Sequence, residues 1–289
     1  MFIRAGFEIS IRCDNETPIL CALSPRPEVS PVLGDGAVRC EPRLPGQTYT
    51  DSFGNRMTRL THPGGLVTLV SDFVIEDGGD PDPVHPWAEQ LPVSHLPAET
   101  LRYLVPSRFV ESDLLSNEAW SMFGHIPDGW ARVQAICDFV HNHIEFGYCH
   151  GRPTKTALDA YREGRGVCRD FAHLSIAFCR ALNIPARYGS GYLGDIGVPY
   201  NPDPMDFCAW FEVFLGGRWY TFDARYNVPR IGRILMVRGM DAADVSMVTS
   251  YGPHRMEKFE VWCEEIAAGR RLEDVRAELR IPLVGVAAA

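Results

Sequence analysis

The feature that most constrains this chain is a cysteine that follows a glycine and begins an apolar-periodic segment. Residues 166–173 read Gly-Val-Cys-Arg-Asp-Phe-Ala-His. Apolar side chains then recur at three- and four-residue steps, at Phe171, Leu174, Phe178 and Leu182. This spacing predicts an amphipathic helix packed through its apolar face, with Cys168 in the first turn.

The first turn of a helix changes the chemistry of a thiol. Unpaired backbone N–H groups and the positive end of the helix dipole favour the thiolate, and Arg169 adds a positive charge nearby. Cys168 is therefore a candidate nucleophile. The alternative is a structural cysteine, because free cysteine is among the residue types most often buried.

Composition excludes several partners. The net charge of -9 over 289 residues argues against sequence-independent binding of nucleic acid, which needs a dense basic surface. No apolar run reaches the length of about 18 residues that a membrane span requires. Residues 1–8 lack the features of a secretory signal, so we expect a cytoplasmic protein with neither nucleic acid nor a membrane as partner.

Cysteine usage points to reduced thiols. The chain has 9 cysteines at irregular spacing, an odd number that does not suggest a disulfide framework. It contains no CxxC pair, so we do not expect a structural zinc knuckle.

The first part of the chain has the pattern of a β domain. Residues 1–90 are rich in Pro, Gly, Asp and Thr, and they carry short apolar or alternating runs at 7–11 and 66–70, separated by turn signals. The proline-rich segment 80–86 cannot sustain a helix or a central strand and is the predicted linker. We therefore predict a β-sandwich-like domain over 1–90 and a second domain over 91–289.

The second part alternates helices and strands. Its periodicity predicts helices over 131–144 and 156–161 before the cysteine helix, and strands over 186–193, 209–215 and 218–222 after it. Gly216-Gly217 is the predicted two-residue hairpin turn. A helical layer followed by an antiparallel sheet is an α+β arrangement. The acidic stretch 257–265 is expected to be a solvated face.

Three ordered motifs resemble a known family. Residues 166–172 and 183–188, then 205–213, then 217–223, are similar to the cysteine helix and following strands of the transglutaminase-like superfamily. The resemblance covers about residues 130–230, and the first ninety residues look like the β-rich amino-terminal region of bacterial members. It implies a papain-like α+β core that uses Cys, His and Asp, in that chain order, to form an acyl-enzyme.

Carried over by position, Cys168 is the nucleophile and Asp223 is the carboxylate that orients the base. The chain departs from the family at the base itself, because Cys208 stands directly before Ala-Trp, where the family has His. An imidazole with a pKa of about 6.5 takes and returns a proton at neutral pH, whereas a thiol with a pKa of about 8.5 donates weakly. Tyr226 also replaces a His expected in close bacterial relatives.

Another histidine could supply the base. His150 lies in a segment that the family tends to bring near the nucleophile, and it is the better spare base. His173 lies five residues beyond Cys168, about 140 degrees around a helix, so it should point away. His141 and His143 are expected at the surface or as capping groups. The candidate substrate-binding residues are Tyr148, Cys149 and Trp210, the last as a wall of an acyl pocket, with residues 197–204 as a loop over the entrance.

Cys208 in the base position also predicts two neighbouring sulfurs. Two thiols that close can form a disulfide, share one proton, or bind a soft transition metal with Asp223 or His150 completing the ligand set. Cys149 would be a third sulfur there. Alternatively, Cys208 only fills vacated space in a protein that has lost activity.

The sequence thus predicts a thiol enzyme that acts through Cys168 on an amide or thioester carbonyl, as a peptidase, amidase or acyltransferase, with an atypical mechanism. Its substrate would be a peptide or a small amide or thioester, and the reaction requires no cofactor. The alternatives are a metal- or dithiol-dependent catalyst that uses Cys168, Cys208 and Asp223, and a non-catalytic binding protein. The oligomeric state is left open.

Overall fold

The protein, described by a computed structural model over residues 1–280, combines antiparallel sheets with a group of helices. The strands before the helices are β1 (Phe2–Cys13), β2 (Thr17–Cys21), β3 (Pro31–Leu33), β4 (Arg39–Glu41), β5 (Gly46–Thr50), β6 (Arg56–His62) and β7 (Gly65–Glu76). The helices are α1 (Ala98–Leu101), α2 (Ser116–Phe123), α3 (Trp130–His143), α4 (Ala157–Glu163), α5 (Cys168–Ala181) and α6 (Leu272–Glu278). The remaining strands are β8 (Glu145–Phe146), β9 (Arg165–Gly166), β10 (Ala186–Leu193), β11 (Cys208–Leu215), β12 (Arg218–Phe222), β13 (Arg233–Gly239), β14 (Val248–Ser250) and β15 (His254–Glu265). Short 3₁₀ turns occur at Val93–His95, Arg102–Leu104 and Tyr148–His150.

Two antiparallel sheets hold the amino-terminal strands. In the first, the order is β15-β1-β7-β3, with β4 also pairing with β7, and in the second it is β14-β2-β6-β5. Alternate residues of β1, from Ile3 through Phe7 to Ile11, are fully buried, which is the period of a strand with one face on the core. The predicted β-rich amino-terminal part is confirmed in its secondary structure.

Strand pairing crosses the predicted domain boundary near residue 90. β15 pairs with β1 along its length, and β14 pairs with β2. The boundary itself stays a prediction, but strands from beyond it complete both amino-terminal sheets. The expectation that 257–265 is a solvated face is wrong for its second half, because Val261 and Cys263 are buried. Charged residues on one side of a paired strand gave the stretch a solvated appearance.

A third sheet supports the helices. Its order is β12-β11-β10-β13, all antiparallel, and α5 packs on β10 and β11 with α2, α3 and α4 against it. Gly216 and Gly217 have φ values of +54 and +87 degrees, as the predicted two-residue hairpin turn requires, and Leu215 pairs with Arg218 across it. The α+β class and the positions of these strands are confirmed.

Helix α5 is buried more completely than its sequence pattern predicted. Every residue over 170–180 is buried, on all faces of the helix. The sheet and the helices α2, α3 and α4 cover most of it, and loop residues such as Phe109 and Met240 cover its polar side chains. The amino terminus of this core helix opens toward the surface at Cys168, which is partly exposed. Within residues 1–280, no helix has the length and apolarity needed to cross a membrane.

Candidate active site

Cys168 is the first residue of α5, as predicted. The turn before it is tight, since the Val167 backbone N–H donates to Asp170 Oδ2 at 2.9 Å. A Cβ at Gly166 would meet the same Asp170 oxygen at 2.6 Å, which explains why a glycine stands there. The backbone thus presents the Cys168 sulfur at the helix amino terminus, where the helix dipole favours a negative charge.

Cys208 is the direct neighbour of this sulfur. It is the first residue of β11 and is 3% exposed. The Cys168 sulfur lies 3.9 Å from the Phe207 carbonyl oxygen, and the Cys168 and Cys208 side chains pack in one cluster, where each changes the pKa of the other. All 9 cysteines of the chain are free thiols in this structure. The predicted approach of two sulfurs is therefore present, without a bond between them.

The contact shifts the pKa values of the two thiols in opposite directions. The hydrogen bond from Cys208 lowers the pKa of Cys168, against the opposing effect of burial. The same contact, together with burial, raises the pKa of Cys208 well above its ordinary value. Cys168 is therefore the more acidic of the two thiols, and Cys208 is the one that keeps its proton more strongly.

The cation near this charge is Arg225 rather than Arg169. The Arg225 guanidinium contributes to the lowered pKa of Cys168, while the Asp206 carboxylate opposes it. Arg169 instead donates to the Arg152 carbonyl oxygen at 2.6 Å. Sequence analysis missed Arg225 and Asp206, although Arg225 lies two residues beyond the predicted orienting carboxylate and Asp206 two residues before Cys208.

Asp223 is near Cys208, but it does not face a base. Its charge helps to raise the pKa of Cys208. One of its carboxylate oxygens accepts from the backbone N–H groups of Arg225 and Tyr226, at 3.1 and 3.3 Å. The other accepts from Arg233 at 2.9 Å. Asp223 therefore fixes the turn that carries Arg225 and Tyr226.

Arg233 connects the site to the linker. Its side chain is 8% exposed, and its Nε donates to Asp82 at 2.8 Å. The guanidinium also lies 5.0 Å from the centre of the Trp210 ring. A residue of the proline-rich segment thus reaches Asp223 through one arginine, a contact that no local sequence pattern indicates.

Cys208 borders a cleft of about 470 Å³, and Cys168 lies behind it, outside the lining. Its lining includes Cys208, Arg225 and Tyr226 beside the sulfurs, Tyr148 at one side, and the loop residues 194–206. The predicted loop over the entrance therefore lines this cleft. The opposite wall is residues 261–265 of β15, which sequence analysis did not associate with the site.

The histidines lie elsewhere. The ring of His150 contacts the exposed Cys149 sulfur at 3.7 Å, and no hydrogen bond joins it to Cys168 within residues 1–280. His173 is fully buried beside Phe109 and accepts from the Ala242 backbone N–H at 3.2 Å. Burial lowers the pKa of His173 to about 3, so its ring is neutral.

Two further histidines hold backbone groups. His141 contacts the Ala224 carbonyl oxygen at 3.1 Å, and His143 contacts that of Tyr161 at 2.6 Å. These are the structural contacts expected of residues at the end of α3. In the described part of the chain, Cys208 is the cysteine that packs against Cys168, and no hydrogen bond joins Cys168 to His141, His143, His150 or His173.

The three candidate substrate-binding residues, Tyr148, Cys149 and Trp210, do not lie together. Tyr148 is exposed and lines the cleft, whereas Cys149 is exposed beside His150 and outside the lining. Trp210 is 2% exposed and packs in one cluster with Cys208. Its ring crowds the β10 backbone, since a Cβ at Gly189 would meet the indole nitrogen at 2.9 Å. The tryptophan therefore supports Cys208 from within the sheet.

A metal site of three protein ligands has no counterpart among residues 1–280. No group of three or more His, Cys, Asp or Glu side chains in that range is arranged to hold a metal ion, the set of Cys168, Cys208 and Asp223 included. The close pair of sulfurs and the Asp223–Arg233 ion pair account for these groups instead.

Comparisons with known proteins agree with this architecture. Residues 121–224 match the family model of the Transglutaminase-like superfamily. These residues form a transglutaminase-like core, as the motifs predicted, and the fold supports a thiol enzyme.

Two individual proteins show how far the similarity extends. The crystal structure of a candidate cysteine protease from Cytophaga hutchinsonii is similar with a TM-score of 0.80 and 28% identity, over 94% of this chain and 92% of that one. An uncharacterized protein of Mycobacterium leprae (strain TN) is 37% identical over 95 residues, which are 32% of this chain and 33% of the relative. The chain therefore spans about a third of the length of that curated relative.

Proposed function

We propose that this protein is a transglutaminase-like thiol enzyme in which Cys168 attacks an amide or thioester carbonyl and holds the acyl group as a thioester. The observation that carries the proposal is the state of the sulfur. Cys168 is partly exposed at a helix amino terminus, and its pKa is lowered by the hydrogen bond from Cys208 and by Arg225. A thiolate is the nucleophilic form of cysteine.

The neighbouring groups have separate roles in this proposal. In the attack, the Cys168 sulfur forms a bond to the carbonyl carbon, and the bond to the leaving group then breaks. Arg225 and the free N–H groups at the start of α5 offset the negative charge that develops on the carbonyl oxygen. Asp223 is a positioning residue, because it holds the turn that carries Arg225 and Tyr226. Tyr148 contacts the substrate at the side of the cleft.

Acylation of one cysteine by an activated ester tests the proposal. Incubation with p-nitrophenyl acetate should add one acetyl group to Cys168, detected by intact mass and peptide mapping. Cys168→Ala should lose this adduct, whereas Cys40→Ser, in β4 of the first sheet, should keep it. Equal acetylation of several cysteines, or an unchanged rate in Cys168→Ala, would contradict the proposal.

The contact between two sulfurs also favours a second candidate, a dithiol catalyst. This candidate expects a Cys168–Cys208 disulfide in one of its working states. Thiol titration before and after mild oxidation measures it, and elemental analysis of protein purified without chelators tests the metal-dependent alternative, which the ligand geometry does not favour. A non-catalytic protein would instead keep its binding function in Cys168→Ser.

A further inference from the structure

We propose, resting on the function above, that this site selects its acyl donor by the leaving group: it accepts thioesters, leaves amides and peptides uncleaved, and passes the acyl group to a second thiol. The inference comes from the groups that surround Cys168 in place of an imidazole. It concerns which carbonyl compounds react, once Cys168 is accepted as the nucleophile.

The amine released from an amide cannot leave this site without receiving a proton. The departing amine is too basic to leave as an anion, so a thiol enzyme must protonate it from a general acid. The group in that position is Cys208, which is 3% exposed, packs against Cys168 and lies 3.9 Å from the Ala209 carbonyl oxygen. Its raised pKa makes it a weak acid. A thiol leaving group, with an ordinary pKa of about 8.5, departs as a thiolate and needs no proton.

Other proton donors are committed elsewhere. Asp223 is bound to Arg233 and to two backbone N–H groups. The imidazoles of His173 and His150 contact the Ala242 backbone and the Cys149 sulfur. The guanidinium of Arg225 offsets negative charge but does not give up a proton at neutral pH.

Three acids of the cleft lining remain near the sulfurs. Burial raises the pKa of the Tyr148 and Tyr226 phenols, which makes them weaker donors, and Asp206 accepts from the Phe207 backbone N–H at 2.6 Å, which favours its carboxylate form against the opposing effect of burial. The site therefore stabilises anions and, among the described residues, has no imidazole placed to act as the general acid.

Thiol-to-thiol transfer needs no net proton. In the first step the Cys168 sulfur bonds to the carbonyl carbon, the carbon–sulfur bond of the donor breaks, and its electron pair leaves on the departing thiolate. In the second step an acceptor thiolate attacks the acyl-Cys168 thioester, and Cys168 leaves as the thiolate with which it began. Hydrolysis would require a base to take a proton from water, so it should be slow.

The cleft also restricts the thiol that carries the acyl group. One guanidinium, that of Arg225, lines it together with five carboxyl groups, those of Asp195, Asp203, Asp206, Glu264 and Glu265. Asp195 lies 3.9 Å from Arg230, which offsets part of this charge. An acidic cleft disfavours a thiol with several phosphates, such as coenzyme A, relative to a neutral one.

Matched acetyl donors test the inference. The acetyl thioester of N-acetylcysteamine, with 2-mercaptoethanol as acceptor, should turn over at least about 100-fold faster than p-nitroacetanilide, the order that a general acid contributes. Cys208→His should raise anilide turnover about tenfold or more, while Cys40→Ser should not. The acetyl thioester of coenzyme A should react more slowly than that of N-acetylcysteamine.

A second measurement does not depend on the folding of a variant. In the unaltered protein, the rate of Cys168 acetylation across aryl esters and thioesters should fall steeply as the pKa of the leaving group rises. A shallow dependence, or anilide turnover comparable to thioester turnover, would overturn the inference while leaving the nucleophilic role of Cys168 intact. Failure of all these donors to acylate Cys168 would remove the proposed function and the inference together. Faster reaction of the coenzyme A thioester would overturn the restriction by charge.

Discussion

At the scale of single residues, the site is organised by the unequal acidity of two neighbouring thiols. The pKa of Cys168 is lowered, in part by Arg225, whereas the pKa of Cys208 is raised. The meeting of Cys168 and Cys208 could be predicted, because a helix start and a strand start have fixed places in the motifs that the sequence resembles. The sequence therefore indicated that the two sulfurs meet. It did not indicate which thiol is the more acidic, because that depends on burial.

The partners of Asp223 could not be read from the sequence. Its ion pair is with Arg233, at the start of β13, and Arg233 is held in turn by Asp82 in the linker. Each of these residues lies on a different segment, and charged residues carry no periodic signal that would indicate such a contact. A motif can predict where a carboxylate stands, but its partner is set by the packing of distant segments.

The contact with Cys208 should control the pH at which Cys168 becomes reactive toward alkylating agents. Because its pKa is lowered, alkylation of Cys168 by iodoacetamide should rise with pH through a midpoint below that of the denatured chain. Cys208→Ala removes the donor and should move the midpoint upward, while Cys208→Ser keeps an O–H donor and should move it less. Mass spectrometry of the Cys168 peptide measures the rates, and an identical midpoint in all three proteins would contradict this assignment.

At the scale of secondary structure, local sequence patterns predicted where the helices and strands lie better than they predicted what packs against them. The strands around Gly216-Gly217 and the helix at Cys168 follow from short-range periodicity and turn chemistry. The burial of α5 on all sides does not, because residues from distant loops cover its polar side chains: Phe109 and Ala242 contact His173, and the Val105 and Met240 carbonyl oxygens accept from Arg180. An amphipathic pattern predicts burial of the apolar face and gives no sign that the polar face is covered as well.

The neutral His173 should make the fold sensitive to acid. Its pKa is about 3 in the folded protein and about 6.5 when exposed. The unfolded chain therefore binds the extra proton below pH 6.5, so the free energy of unfolding should fall by about 2 kcal/mol from this group between pH 7 and pH 5. Urea denaturation of His173→Gln should show a weaker loss over that interval, whereas the exposed His125→Gln should match the unaltered protein. Equal losses in all three would refute the assignment.

At the scale of the whole molecule, the cleft joins sheets from the two parts of the chain. One wall comes from the third sheet and its loops, and the other from β15, which pairs with β1 in the first sheet. The contact is close, since a Cβ on Gly194 would collide with the Cys263 carbonyl oxygen. Pairing between strands more than 200 residues apart has no local signature, which is why the sequence did not reveal this wall.

A fragment beginning at residue 91 should therefore not behave as an independent domain. It keeps β15 without β1, so the strand loses its pairing partner and its buried face loses the apolar residues of β1. Circular dichroism and urea titration of fragment 91–289 should show no cooperative transition, in contrast to the full chain. A sharp transition with full helix content would mean that the core is stable without its neighbouring sheet.

The wall formed by β15 also sets an order of events during synthesis. The helix with Cys168 emerges from the ribosome well before residues 261–265, which complete the cleft. A nascent chain that has folded only the helical core would present its reactive sulfur beside an unfinished binding surface. Under the proposed function, selection of a substrate by this cleft would require translation to pass β15.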